Sequence, residues 1–424
     1  MSLAALSVAA LVLALVVSTI SQINIGVLAI VMAWIVGVYL GGMKTEQVLA
    51  GFPVSLFLTL VGVTLLFTQA QGNGTLERLA RRAVRLCRGL PGLIPILFFL
   101  LTAALSSSGP GNIAATALMA PLGMAAAGRY GIPPFLMAIM IANGASAGSV
   151  SPIAPTGVIV NQLVAKIGLP DARWTIYANN FIAHAAVALG GYILLGGWKL
   201  LQADRGQVSD PLAAGDGIAE HRSDTLSRHH WLTLIVIGAL IVSAVALNVN
   251  VGMAALAGAL VLTLTRAADE GAAFRAMPWS VILMVTGVTI LVGLLEKTGG
   301  MDLFTEFIGR LATPATVTAL TAFFTGVVSI YSSTTGVVLP AMLPIIPGVI
   351  QHMGGGNPMA LVSSMVVGGH LVDVSPLSTL GALCLAAAPP GTDTRRLFNQ
   401  LLAWGVSMTV VAAAVCWLFF SILE

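Results

Sequence analysis

Charge is what this chain has least of. Lys, Arg, Asp and Glu together make up 8% of its 424 residues, against about 25% in a soluble domain. So little polar surface excludes a soluble fold of this length. Cysteine is almost as scarce: Cys87, Cys384 and Cys416 lie far apart, in or beside apolar runs. That excludes a disulfide framework and any cysteine-based metal motif; each reads as a small apolar residue. Aromatic residues are few, at 6%. The short alternating segments of a transmembrane β-barrel are missing. There is no His-Glu-x-x-His, no pair of catalytic carboxylates and no nucleophile–base spacing, which argues against an intramembrane enzyme. No ring-forming filter motif supports a channel. The first apolar run, from Ala4 to Val17, lacks a positively charged leader and a convincing Ala-x-Ala site; it reads as a membrane helix rather than a cleaved signal.

What the chain does have is apolar length, glycine and proline. Hydrophobic residues are 57%, with 46 Gly and 20 Pro, and the mean hydropathy is +0.97. The fold class expected is an all-α polytopic membrane protein. Gly and Pro inside the apolar runs point to close helix packing and broken helices.

The chain also contains itself twice. Pro53-Val-Ser55, Gly62-Val-Thr64 and Gly74-Thr-Leu-Glu77 return as Pro278-Trp-Ser280, Gly287-Val-Thr289 and Gly299-Gly-Met-Asp302, each 225 residues on. Met119-Ala-Pro121-Leu returns as Met342-Leu-Pro344-Ile, and Ser151-Pro152-Ile with Gly157 as Ser375-Pro376-Leu with Gly381. A weak repeat in an apolar chain is a mark of secondary transporters built from two halves.

At about 20 apolar residues per span, residues 1–201 read as a first repeat. Its scaffold helices lie within 1–50, a further helix at 52–71, a hairpin at about 91–127, a broken helix at about 133–166 and a last helix at 174–201. An Arg-rich amphipathic stretch, 76–88, reads as an interfacial stripe on anionic lipid. A polar linker spans 202–230. Residues 231–424 repeat the order, with a hairpin at about 314–352 and a broken helix at about 357–388. Each half then has about five transmembrane helices, one re-entrant hairpin and one broken helix. If the paired short runs are hairpins, the halves are inverted, and 14 of the 19 Lys and Arg fall on one side, among them Arg129, Arg266 and Arg396. The other side keeps Lys44, Lys166, Arg173, Lys297 and Arg310. The positive-inside rule then puts the linker in the cytoplasm and both termini outside. Two full spans per hairpin would place the charges equally well. The charge-free Ser/Gly tips favour burial at mid-membrane.

Breaks are expected at Ser106–Asn112, Gly144–Pro152, Ser332–Gly336 and Gly368–Pro376. Irregular backbone is tolerated in the membrane only where protein or water satisfies it. Helix N-termini brought together there suit an anion, and carbonyl and hydroxyl oxygens suit Na⁺. Asp373 is the one carboxylate in a break and reads as a cation ligand, a proton carrier or a cap. His370 is one turn away, within reach of orientation by Asp373. His184 reads as a satisfied core histidine, and Glu296-Lys297 as a solvated helix end. No Lys or Arg falls at the proposed site. A dianion entering against a negative interior therefore needs at least about two cations, because each charge costs about 2.3 kcal/mol per 100 mV.

These residues resemble the divalent anion/Na⁺ symporter group of the ion transporter superfamily, over nearly the whole chain. The N-terminal half is most similar to malonate/dicarboxylate carriers of the MatC type. Family members carry Ser-Asn-Thr at each hairpin tip, followed by an apolar run ending in Pro. Asn112 through Thr116 to Pro121 matches the first run, with Gly111 and Ile113 in place of the Ser and Thr. Thr334-Thr335-Gly336 followed by Pro344 matches the second, with Thr335 in the Asn place. Ser151-Pro152 and Ser375-Pro376 stand for the family's Thr-Pro.

The resemblance implies one Na⁺ site from Ser107, Asn112 and the backbone near Val150. A second would use Ser333, Thr335 and the backbone near Val374, with Asp373 adjoining. Asn112, Ser151, Thr335 and Ser375 would face the substrate carboxylates, beside Gly111 and Thr334. It further implies a homodimer and an elevator motion against the fixed scaffold. The reading is Na⁺-coupled symport of a small, malonate-like dicarboxylate across a bacterial inner membrane, with lipid and the ion as partners and no nucleic acid. A proton-coupled carrier or exchanger using Asp373 and His370, or a channel-like anion pathway, stands as the alternative.

Overall fold

A computed structural model of the chain describes residues 2–20, 23–76, 78, 91–201, 226–245, 247, 249–303, 306, 313–331 and 333–422. Every regular element among them is helical. The protein is a multi-pass membrane protein: five helices are long and apolar enough to cross a bilayer, and six shorter apolar ones accompany them.

In the first half, α1 is Leu3–Ile20 and α2 is Ile25–Trp34, which runs on as a wider π-type turn to Leu40. A short α3 (Thr45–Leu49) precedes α4 (Val54–Gly72). Then come α5 (Leu93–Ser107), α6 (Gly111–Tyr130), α7 (Pro134–Ser149), α8 (Pro155–Lys166) and α9 (Arg173–Leu194). The second half follows the same order. It has α10 (Arg228–Val245), α11 (Val251–Leu264), short α12 (Glu270–Ala276), α13 (Trp279–Thr298) and α14 (Val317–Tyr331). A π-type turn, Thr334–Val338, leads into α15 (Leu339–Met342) and, after one 3₁₀ turn, α16 (Ile346–Met353). Last are α17 (Pro358–Leu371), a 3₁₀ turn Val372–Val374, α18 (Thr379–Ala386) and α19 (Thr394–Trp417).

The halves grip each other by exchange. Helix α2 packs on α13, and α4 packs on α11. In lipid there is no hydrophobic drive between apolar helices, so close backbone approach has to supply the association. It does so through glycine. A Cβ on Gly26 would collide with the Leu283 carbonyl, and one on Gly287 with the Gly26 carbonyl. A Cβ on Gly62 would collide with the Gly252 carbonyl, and one on Gly252 with Thr59. Gly62 and Gly287 stand 225 residues apart, the offset of the sequence repeat, and Gly26 and Gly252 stand 226 apart. Within each half the relation recurs: α5 packs on α7 and α14 on α17.

That packing moves two of the expected breaks. Helix α7 runs unbroken through Gly144 to Ser149, and the irregular residues are 150–154. Helix α17 likewise runs through Gly368 to Leu371. Gly144 and Gly368 are contact points rather than breaks: a Cβ there would strike the backbone of Phe99 and of Ala322. The linker expected to reach residue 230 ends earlier. His230 lies in the first turn of α10, with Nε2 3.1 Å from the Asn73 carbonyl. Most of the stretches 76–88, 202–225 and 301–311 falls outside the described residues, with Cys87 and Ser332.

Candidate functional site

Two tips contribute residues to one cavity. The first is the turn between α5 and α6. Gly109 (φ 131°) and Gly111 (φ 79°) hold backbone angles that other residues rarely adopt, and a Cβ on Gly109 would run into the Phe67 ring of α4. The turn therefore seats itself against α4 and starts α6 at Gly111. Asn112 Oδ1 accepts from the Ile113 amide at 3.0 Å.

The second tip is built differently. Ser333 caps it, accepting from Gly336 N at 3.0 Å. Thr334 Oγ1 lies 3.1 Å from both the Gly369 carbonyl and Asp373 Oδ1. With Asp373 ionised both are acceptors for the one Thr334 hydrogen, and Ser329, also hydrogen-bonded to Thr334, is then the donor of that pair. Thr335 Oγ1 reaches Thr156 Oγ1 of α8 at 3.0 Å, a bond across the two halves.

Gly111, Asn112, Ser333, Thr334, Thr335 and Asp373 all line one cavity of about 520 Å³. That is within the usual range of small-molecule pockets, roughly 300–1,000 Å³. The N-terminal ends of α6, α8 and α18 open onto it together with the start of the second tip, and residues of α4 and α13 also line it. Among the described residues no Lys, Arg or His lines it, and Asp373 is its single ionisable group. The cavity thus offers amide N–H groups, hydroxyls and helix N-termini, the equipment for an anion, beside one carboxylate suited to a cation.

The other expected residues lie elsewhere. Ser107 Oγ pairs with Tyr177 OH at 2.9 Å. Val150 and Val374 are buried in the core, and Ser151 is 6% exposed. Ser375 is fully buried, accepts from Leu377 N at 3.3 Å and packs against Gly405 of α19. None of these five lines the cavity. His370 does not turn to Asp373: its Nδ1 is 2.8 Å from the Val366 carbonyl. Glu296 is not simply solvated, since Lys166 Nζ reaches its Oε1 at 2.9 Å. Thr156, Ser378 and Thr379 line the cavity and were not singled out from the sequence. They stand within the first turns after the breaks, where a hydroxyl next to Pro155 or Leu377 was the available signal. Thr64 and Thr68 also line it, on α4.

Comparison with known proteins bears on the class of protein. Residues 1–149 match the family model described as dicarboxylate carrier protein MatC N-terminus. Residues 230–423 match that of the anaerobic C4-dicarboxylate membrane transporters. An uncharacterized transporter of Mycobacterium tuberculosis strain H37Rv is 25% identical over 352 residues, 80% of this chain and 79% of its own length. One of Mycobacterium bovis is 24% identical over 387 residues, 88% of each chain. In fold the chain is similar to MtrF of Neisseria gonorrhoeae, described as an antimetabolite efflux pump, with TM-score 0.59 at 12% identity over 92% of this chain and 85% of that one. It is also similar to the YdaH transporter of Alcanivorax borkumensis, with TM-score 0.57 at 16% identity over 88% and 87%. The chain is a transporter and not an enzyme.

Proposed function

We propose that this chain is a Na⁺-coupled symporter of a small, malonate-like dicarboxylate. One observation carries the reading: helix N-termini from both halves open onto a single cavity without a Lys, Arg or His among its described lining. Dipole ends and hydroxyls can hold carboxylates, but they do not cancel a double negative charge, and Asp373 adds a third. Co-bound cations do cancel it. The likeness of both halves to dicarboxylate transporter families supports the substrate class.

In this reading Asn112 and Thr335 face the two carboxylates, with Gly111 and Thr334 beside them. Na⁺ sits at the second tip among Ser333, Thr335, the backbone near Val374 and Asp373. A second Na⁺ would use Ser107, Asn112 and the backbone near Val150. Inverted halves, a homodimer in a bacterial inner membrane, a cytoplasmic linker and outward termini complete the proposal, with an elevator motion carrying the cavity across. The proton-coupled alternative keeps one supporting observation, that Asp373 borders the cavity.

The deciding measurement is uptake of radiolabelled malonate and succinate into proteoliposomes under imposed Na⁺ or pH gradients. Uptake driven by inward Na⁺ and abolished by its removal is expected. Uptake that follows a pH gradient with no Na⁺ present would overturn the sodium assignment.

A further inference from the structure

The cavity is larger than a malonate-like acid needs. An apolar cavity of about 150 Å³ holds benzene, a molecule about the size of malonate. At about 520 Å³, this one leaves more than half its space to something else. Several lining groups have already spent their hydrogen-bond donors inside the protein. Thr64 Oγ1 donates to the Leu60 carbonyl at 2.6 Å, and Thr68 Oγ1 to the Thr64 carbonyl at 2.6 Å. Ser378 Oγ donates to the Asp373 carbonyl at 2.8 Å. Thr334 gives its hydrogen to Gly369 or Asp373. A hydroxyl whose hydrogen is committed only accepts, and so offers a carboxylate nothing.

Two positions go further. Ile113 follows Asn112 in the first turn of α6, and Leu377 precedes Ser378 just before α18. Both line the cavity. The backbone N–H of each is taken: Ile113 N donates to Asn112 Oδ1 at 3.0 Å, and Leu377 N to Ser375 Oγ at 3.3 Å. Each residue therefore brings to the cavity an aliphatic side chain and no amide. Ile113 is 41% exposed and Leu377 52%. Helices α6 and α18 pack on each other, and both open onto the cavity at their N-terminal ends. The two residues thus stand at the same end of one helix pair. Leu60 and Phe67 of α4 and Met284 of α13 line the same cavity. Water against such side chains is poorly held, and an apolar ligand group that displaces it gains affinity.

We propose that the substrate is a dicarboxylate carrying an apolar substituent, an alkyl-substituted malonate in chemical class, and that Ile113 and Leu377 select for the substituent. The carboxylates keep the places that can donate. Asn112 Oδ1 is turned to Ile113 N, which leaves the amide NH₂ as its other face. Thr335 and Thr156 share one bond between two hydroxyls, so one hydrogen of the pair serves a ligand. The alkyl group lies on the two aliphatic side chains, where no donor is needed. The headgroup rests on the dicarboxylate reading; the apolar contact does not.

Purified protein in detergent and Na⁺ buffer is titrated with malonate, methylmalonate, ethylmalonate and butylmalonate. The reading is the concentration that gives half-maximal thermal stabilisation. It is expected to fall by about two- to fourfold per added carbon, fourfold being full burial of a methylene at about 0.8 kcal/mol. A flat series, or one that weakens from malonate onward, overturns the proposal. In Ile113→Thr and in Leu377→Thr the advantage of butylmalonate over malonate is expected to shrink by at least about threefold, and the melting temperature without ligand shows that each variant is folded. An advantage unchanged in both overturns the assignment to these residues. Hexanoate is butylmalonate without one carboxylate, and it separates the two readings. It is expected to bind at least about tenfold more weakly than butylmalonate, about 1.4 kcal/mol. Equal binding, weakened alike in the two variants, would sink the dicarboxylate headgroup and leave the apolar contact standing. Na⁺-driven malonate uptake in proteoliposomes together with a flat alkyl series would do the reverse.

Discussion

Asn112 and Thr335 hold the same place in the two halves but are fixed by different means. Asn112 closes its own turn onto Ile113, whereas Thr335 is tied across the halves to Thr156. Asn112→Ala and Thr335→Ala are each expected to lower dicarboxylate uptake at least tenfold, about 1.4 kcal/mol of lost binding, with the protein still present in the membrane. Wild-type uptake in both would remove the proposed site. Ser375→Ala is the contrasting case. Its hydroxyl is fully buried against Leu377 N, so the apparent affinity should shift less than about twofold while stability falls by about 0.5–1.5 kcal/mol. Thr334→Val takes away the donor that Asp373 receives. A buried carboxylate without its partner costs about 1–3 kcal/mol, which a thermal melt in detergent reads directly. The tips were legible in the sequence because charge-free Ser, Thr and Gly stand out in apolar runs. The inward turn of Ser375 was not, because a serine beside a proline reads the same whether it faces a ligand or a neighbouring helix.

Among the elements, the long apolar helices and their order were legible from runs of about 20 residues. Two short ones were not. Helices α3 and α12 have five and seven residues, fewer than hydrophobic periodicity needs, and each buries one apolar residue, Val48 or Ala273, 225 positions apart. Only capping hinted at α12, where Asp269 accepts from Ala272 N at 2.9 Å. Glycine gave an ambiguous signal, since a break and a close contact use the same residue. At Gly144 and Gly368 the contact with a neighbouring helix won. That difference can be measured. Gly287→Ala puts a Cβ against the Gly26 backbone; overpacking costs about 1–3 kcal/mol, more than the 0.5–1 kcal/mol that Ala gains over Gly in a helix. Gly238→Ala on α10 meets nothing within 4 Å, so it keeps the helical gain. Thermal melts should move in opposite directions. Equal shifts would show that the glycine crossings do not hold the halves together.

At the scale of the whole molecule, the two halves have one element order but different contacts. Helix α8 packs on α4, while its counterpart α18 packs on α6 and α7; the second tip packs on α13. Repeats held in two different arrangements are what a single end-state of alternating access would look like. In the elevator reading α8 travels with the cavity while α13 packs on the scaffold helix α2, so a contact between α8 and α13 is expected to belong to one end-state. Lys166 of α8 and Glu296 of α13 make such a contact at 2.9 Å, with side chains 43% and 38% exposed. An ion pair this exposed contributes at most about 1 kcal/mol, too little to hold the state by itself. Lys166→Met should therefore leave stability nearly unchanged and uptake within about fivefold, since 1 kcal/mol moves an equilibrium by no more than about fivefold. A covalent bridge is a different constraint. With Cys87 replaced by Ser, and Cys384 and Cys416 buried, Lys166→Cys with Glu296→Cys supplies two reactive thiols at the rim. A short reducible bis-thiol crosslinker is expected to stop uptake, and dithiothreitol to restore it. Full turnover with the bridge intact would mean that α8 and α13 do not move apart, and the elevator motion would have to be abandoned while the cavity and its ligands stood.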